Sequence, residues 1–492
     1  MIWFPSFSIL GRRRFLRRRP NLHQLHHNPA MLPTFVRHAP VARRYLRLLG
    51  PLAWDHFPER NLHERRGTPP VPYAPFAAAC LVKLDQGLTY MSDLRDYLVD
   101  HPALTWVLGF PLLPSFRFPW GFDVDASLPT QRHLTRMLRT MPNQTLQFLL
   151  DSTVHLIYAE LATEVDDFGQ AISLDTKHIL AWVKENNPKA YLKRSERYDK
   201  NRQPSGDPDC RLGCKRKRNQ RLSDPDPPPT PLKDAVPAHT LAVGEYYWGY
   251  GSGVVATKVP GWGEFALAEL TQSFDHADVS YFFPLMDDAE RRLGFRPRFG
   301  AFDAAFDAFY IYEHFHRDDE EGGFAAVPFS QKGKHKRTFS PDGLPLCQAG
   351  LPMPLKSTFI SRSTLVEHER GRYACPLRFP KPTDQICPID HERWPQGGCV
   401  TTMPTSIGAR IRYQLDRHCQ AYKQIYKQRT ATERINSQAV ALGIERPKLR
   451  NGKAIANQNT LIYVLINLRA MHRVRRRKAR LHREAPTGAS RS

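Results

Sequence analysis

The chain has 492 residues, 41% of them hydrophobic and 11% aromatic, with a formal net charge of +23. That length exceeds one ordinary core, and the apolar content rules out a disordered polymer. The charge calls for a polyanionic partner, and no run of about 18 uncharged apolar residues supplies a membrane span.

Residues 1–33 are basic and aperiodic and read as a disordered leader. Their arginines follow the apolar stretch 2–10, whereas an export signal has its charges first. The expected location is therefore cytoplasmic and nucleoid-associated, with the eight cysteines serving as thiols or metal ligands, not disulfides. From 34 to 165 the apolar spacing is helical, at 77–84, 91–98, 129–137 and 144–161. This predicts an all-helical N-terminal domain, either a reader of DNA ends or a plain support.

At Ala171 the period changes. The run AISLD (171–175) reads as a buried strand whose last residue, Asp175, reaches the sheet edge, and a catalytic domain is predicted over 168–480. Residues 188–240 read as a basic and Pro-rich loop: 189–221 carry twelve Lys or Arg against four acids, and 224–237 hold six prolines. Strands follow at 246–257 and 265–270, and a helix at 276–293. The run FGAFD (299–303) is a strand ending in Asp303, followed by a helix at 307–316 and a strand at 324–329. Residues 331–405 read as an irregular insertion with four cysteines. A long amphipathic helix is predicted over 411–441 and another over 460–478. The second carries seven Lys or Arg between Arg473 and Arg483, and 481–492 form a tail. The run Arg475, Arg476 and Arg477 is expected to meet DNA phosphates.

Three acids stand where rigid elements end or face a sheet: Asp175, Asp303 and Glu433. Transfer of a phosphodiester is well stabilised by two hard cations roughly 4 Å apart, held by carboxylates on rigid elements. Tyr426, Arg429 and Glu433 are spaced i, i+3 and i+7, which puts them on one helical face. A face with Glu for metal and with Arg and Tyr for phosphate suits such a site. Asp307, four residues past Asp303, is the alternative second ligand.

These residues resemble the blocks of DDE transposases of bacterial insertion sequences, in the branch whose third acid lies in a Y-x2-R-x3-E signature. Here that signature is Tyr426-Lys-Gln-Arg429-Thr-Ala-Thr-Glu433. The first block is similar to Ala171-Ile-Ser-Leu-Asp175, and the second to Phe302-Asp303-Ala-Ala-Phe306-Asp307. The likeness extends over about residues 70 to 475. It implies an α/β, RNase H-like mixed sheet flanked by helices, with an insertion before the last catalytic helix. It also implies Asp175, Asp303 and Glu433 as ligands of two Mg²⁺ or Mn²⁺ ions, with double-stranded DNA at element ends and target, bound by a dimer. The expected reaction is cleavage of element ends and strand transfer. A hydrolysing nuclease and a transposase-derived DNA-binding protein without catalysis are the alternatives. The chain departs from the extended signature in having Val440 where a lysine follows the Glu by seven residues; Lys448 and Lys453 are the nearby substitutes. Separately, Cys347, Cys375, Cys387, Cys399 and His391 are candidate ligands for a structural Zn²⁺.

Overall fold

A computed structural model describes residues 20–61, 71–216, 244–317, 322–330, 337–362 and 364–484. The Pro-rich run 224–237 and the first nineteen residues of the expected leader lie outside them. The rest of that leader is folded, contrary to expectation. Leu22–His27 is a helix capped reciprocally by Asn21 and Gln24, and it buries Leu22 and Leu25. An i, i+3 apolar pair inside a basic, His-rich stretch is too short a signal to read as periodic.

From there to Leu161 the long elements are helices, notably Tyr73–Asp85, Gln131–Thr140 and Asn143–Leu161. The sheet follows. Its spine is β3 (Gly244–Val259), with β1 (Ala171–Leu180) antiparallel along one edge, from Ile172 opposite Thr257 to Leu180 opposite Gly249. β2 (Arg211–Arg216) and β4 (Gly263–Ser273) share the other edge end to end, both antiparallel. β5 (Phe299–Ala301) adds to β1 in parallel, and β6 (Phe324–Ala326) adds to β5 in parallel. The result is a mixed α/β arrangement, a curled mixed sheet flanked by helices. Helix Phe282–Leu293 lies so close to β3 that a Cβ at Gly253 would stand 2.5 Å from Tyr281 Cδ1 and 2.8 Å from Leu285 Cδ1.

Three expectations are corrected. β2 is a strand inside the stretch read as loop: Arg211 and Lys215 are exposed while Leu212 is buried. The insertion is not irregular throughout: β7 (Leu355–Ser361), β8 (His368–Ala374) and β9 (Val400–Pro404) form a second sheet. The predicted helix 411–441 is three pieces, Ile407–Gln414, Gln420–Tyr426 and Thr430–Ala441, the last two joined by a 3-10 turn. The break at 415–419 has a local cause. Arg417 donates to Val327 O at 2.9 Å and to Tyr312 Oη at 2.9 Å, which pulls the chain off the helical path.

The last long helix, Gly452–Glu484, is buried on all sides from Asn457 to Leu468, as expected for a helix inside a core. One of its buried polar side chains, Asn467, meets a bulge in β4. Val255 faces Ala268 while Ala256 faces Ala266, so Leu267 is an extra residue. Asn467 takes up the backbone there, accepting from Ala266 N at 2.9 Å and donating to Ala266 O at 2.8 Å. Buried Arg292 donates to Leu267 O at 2.9 Å and to Gln147 at 2.7 Å, and it pairs with Asp151. Gln147 in turn donates to Glu269 Oε1 at 2.9 Å, and Thr460 donates to the same oxygen.

Burial pushes the Glu269 carboxyl up to about 7, with Thr460, Arg292 and Gln147 opposing the rise. A carboxyl raised above its unfolded value stabilises the fold fully below that value, near 4.5. The contribution is lost as pH climbs through about 7. Glu269→Gln should therefore flatten the fall in melting temperature between pH 5 and 8, a span worth on the order of 3 kcal/mol. Thermal melts across that range check this; a variant with the wild-type slope would mean that another group titrates.

Candidate active site

Asp175 lies in the middle of β1, not at its end: the strand continues to Leu180. What ends is its neighbour. β5 pairs with β1 only as far as Ala301 opposite Ser173, so Asp303, two residues on, comes level with Asp175 at the point where β1 loses its partner. The helix Thr430–Ala441 and the preceding turn cross this exposed edge. Asn436 of that helix donates to Asp175 Oδ2 at 3.2 Å, and Asp175 Oδ1 accepts from Thr176 N at 2.9 Å. Asp303 caps a short 3-10 turn, accepting from Ala305 N at 2.8 Å.

The electrostatics tie these groups together. Burial pushes the Asp175 carboxyl up to about 6, aided by the Asp303 and Asp278 carboxylates and opposed by Thr176 N–H and Arg429. Asp303 is raised as well, first by burial and then by Asp278, again opposed by Arg429. Asp278 was not singled out from the sequence. It opens a 3-10 turn before helix Phe282–Leu293 and accepts from Thr176 Oγ1 at 2.6 Å. Only the fold brings a residue 102 positions from Thr176 into this cluster.

Glu433 stands half-exposed on the same crossing helix, 3.3 Å from Arg429 Nη2. Arg429 interacts with Asp175, Asp303 and Glu433 alike and hydrogen-bonds Tyr426, which stacks on Tyr422 with ring centroids 5.8 Å apart. Tyr426, Arg429 and Glu433 thus come together, although they lie on three short elements and not on one helix. Asp175, Glu433, Asn436 and Val440 line one side of a groove of about 1320 Å³, whose other walls include Lys177, Lys215, Tyr198 and Tyr246. Neither lysine considered as a substitute for Val440 lines it. Lys448 lies over the Trp182 ring at 5.6 Å, and Lys453 lines a separate pocket of about 640 Å³. Of the C-terminal arginines, Arg475 pairs with Glu160 at 3.0 Å, Arg477 packs over Trp262 at 5.1 Å, and Arg476 is exposed. None of them lines the groove.

Asp307 is otherwise engaged. Its buried carboxylate accepts from Arg412 Nη2 at 2.6 Å and Nε at 2.8 Å, from Tyr312 Oη at 2.7 Å and from Ser330 N at 2.7 Å. Every lone pair has a donor, and Arg412 and the other hydrogen bonds hold the carboxyl below its ordinary value despite its burial.

Among the described residues, no group of three His, Cys, Asp or Glu side chains is arranged to hold a metal ion. The donor set at the β1 edge nevertheless suits a hard cation: it is all oxygen, its two aspartates are partly buried with Asp303 opposing the ionisation of Asp175, and Oδ1 of buried Asn436 has no partner. No family model matches the chain, and no curated protein matches it.

Asp307→Ala should cost about 3–5 kcal/mol, because it strands the Arg412 guanidinium without its partner. Asp303→Ala should lower the melting temperature little. Equal melts for the two variants would contradict the division of roles between these aspartates.

Proposed function

We propose that this chain is a DDE-type insertion-sequence transposase that cleaves element ends and joins them to target DNA. The observation carrying the proposal is the level placement of Asp175 on β1 and Asp303 just past the end of β5, with Asn436 of the Glu433 helix bonded to Asp175. The sheet supports it too: three antiparallel strands (β1, β3, β4) with two short parallel strands beside the first suit the mixed sheet flanked by helices that the resemblance implies. The +23 charge suits a DNA partner, and two ends cut together suit a dimer acting in the nucleoid.

In this reading Asp175, Asp303 and Glu433 hold Mg²⁺ or Mn²⁺. The bound cations would neutralise the phosphodiester oxygens and favour the ionised form of the attacking hydroxyl. The chain's own residues do the rest. Asn436 fixes the Asp175 carboxylate through Oδ2. Arg429, which balances the acids in the ligand-free chain, turns its fork to a phosphate, and Tyr426 orients it. The tyrosine- and lysine-lined groove leads DNA toward Asp175.

Single replacement of Asp175, Asp303 or Glu433 by Ala should reduce Mg²⁺-dependent cleavage of an element-end duplex by at least about 10³-fold. DNA binding in a gel-shift assay should be largely kept. Cleavage in excess chelator would sink the mechanism, and hydrolysis without joining would select the nuclease alternative.

Arg429→Lys distinguishes a phosphate grip from a local ion pair. A planar fork engages two phosphate oxygens and an ammonium does not, so single-turnover cleavage should fall roughly 10- to 100-fold with the melt unchanged. If Arg429 only pairs with Glu433, the loss is within about 0.3–0.5 kcal/mol and the rate hardly moves.

A further inference from the structure

The second sheet has too little apolar interior to hold itself. Its core is Met353, Tyr373, Met403 and Ala409, and β7 is exposed along six of its seven residues. A unit this small needs a covalent or metal staple. Three cysteines converge at one end of it. The β8–β9 register ends with Ala374 opposite Val400, so Cys375 and Cys399 form the next pair. They are so close that a Cβ on the intervening Gly398 would stand 2.6 Å from Cys375 Cβ and 3.1 Å from its Sγ; Gly398 itself has φ +90°.

Cys347 arrives at the same end from another direction. It opens a tight turn in which Gly350 N donates to Cys347 O at 3.0 Å, and Cys347 N donates to Leu351 O at 2.9 Å. That turn runs into Pro354, whose carbonyl accepts from Ala374 N at 3.0 Å, directly beside Cys375. A second tight turn follows Cys375, whose carbonyl accepts from Arg378 N and Phe379 N. Cys347 and Cys399 both pack on the small core.

The geometry points to a zinc site built by Cys347, Cys375 and Cys399, closed from the 376–398 loop, which carries Cys387 and His391. The three thiols do not already surround one point, so the site needs a shift of the Cys347 turn. The site would also steady the helix Ile407–Gln414, because Ala409 belongs to the small core and Arg412 of the same helix holds Asp307.

The test needs no cleavage assay, so its failure would leave the transposase reading standing. The full chain, purified reduced from zinc-supplemented cells, should carry about one zinc by elemental analysis. Cys375→Ser and Cys399→Ser should lose it, and Cys80→Ser should keep it. Cobalt added to the metal-free wild type should give a near-ultraviolet sulfur-to-metal charge-transfer band, a readout that survives if a serine variant fails to fold. A zinc-free wild type with no such band, zinc retained by both serine variants, or a Cys375–Cys399 disulfide in the native protein would each overturn the site.

Discussion

The bulge at Leu267 is the constraint on which the arrangement of layers depends. An extra residue in β4 leaves backbone groups that a regular ladder would have satisfied, and buried groups of that kind must find partners or cost free energy. Here the partners come from two helices, Asn467 from one and Arg292 from the other. Because Arg292 is itself held by Asp151 and Gln147 of Asn143–Leu161, the N-terminal helices are tied to the same point. A purely apolar seam would tolerate sliding. Side-chain amides matched to one N–H and one C=O of Ala266 do not, and they fix the helices in register with the sheet.

That fixed register carries through to the acids. With the sheet set, β1 outruns β5 at Ser173, and the free edge beyond is where Asp175 sits and where Thr430–Ala441 crosses. The unfavourable proximity of Asp175, Asp278 and Asp303 is tolerated because Arg429 stands among them. Asp307, by contrast, has given all its bonding capacity to Arg412, Tyr312 and Ser330. Two aspartates four residues apart thus have opposite characters: one is raised and underbonded, the other depressed and saturated.

Much of this was legible in the chain. The apolar runs before Asp175 and Asp303 are strands, and the residues Tyr426, Arg429 and Glu433 do gather. What the sequence hid was of three kinds. Asp278 and Asn436 reach the Asp175 site only through tertiary contacts, and the helical period around each does not say which strand it will face. The polar stretch Asn457-Gln-Asn-Thr460 looks like a solvated helix start, yet it is buried because its partners are backbone and side chains of distant elements. The second sheet is short, and its strands are exposed or half-buried for most of their length, so no alternation betrays it. Breaks in the helix before Glu433 were equally silent, since their cause is Arg417 reaching for Val327 and Tyr312.

The order of these pieces along the chain has a consequence for biosynthesis. Asn457, Thr460 and Asn467 follow every carboxylate of the β1 edge, yet β4 and the carbonyls of Leu138 and Met141 at the end of helix Gln131–Thr140 rely on them. A nascent chain that has just exposed Glu433 still lacks the helix that joins its two halves. The acids of the groove would then be held in place only once the last long helix has emerged and packed.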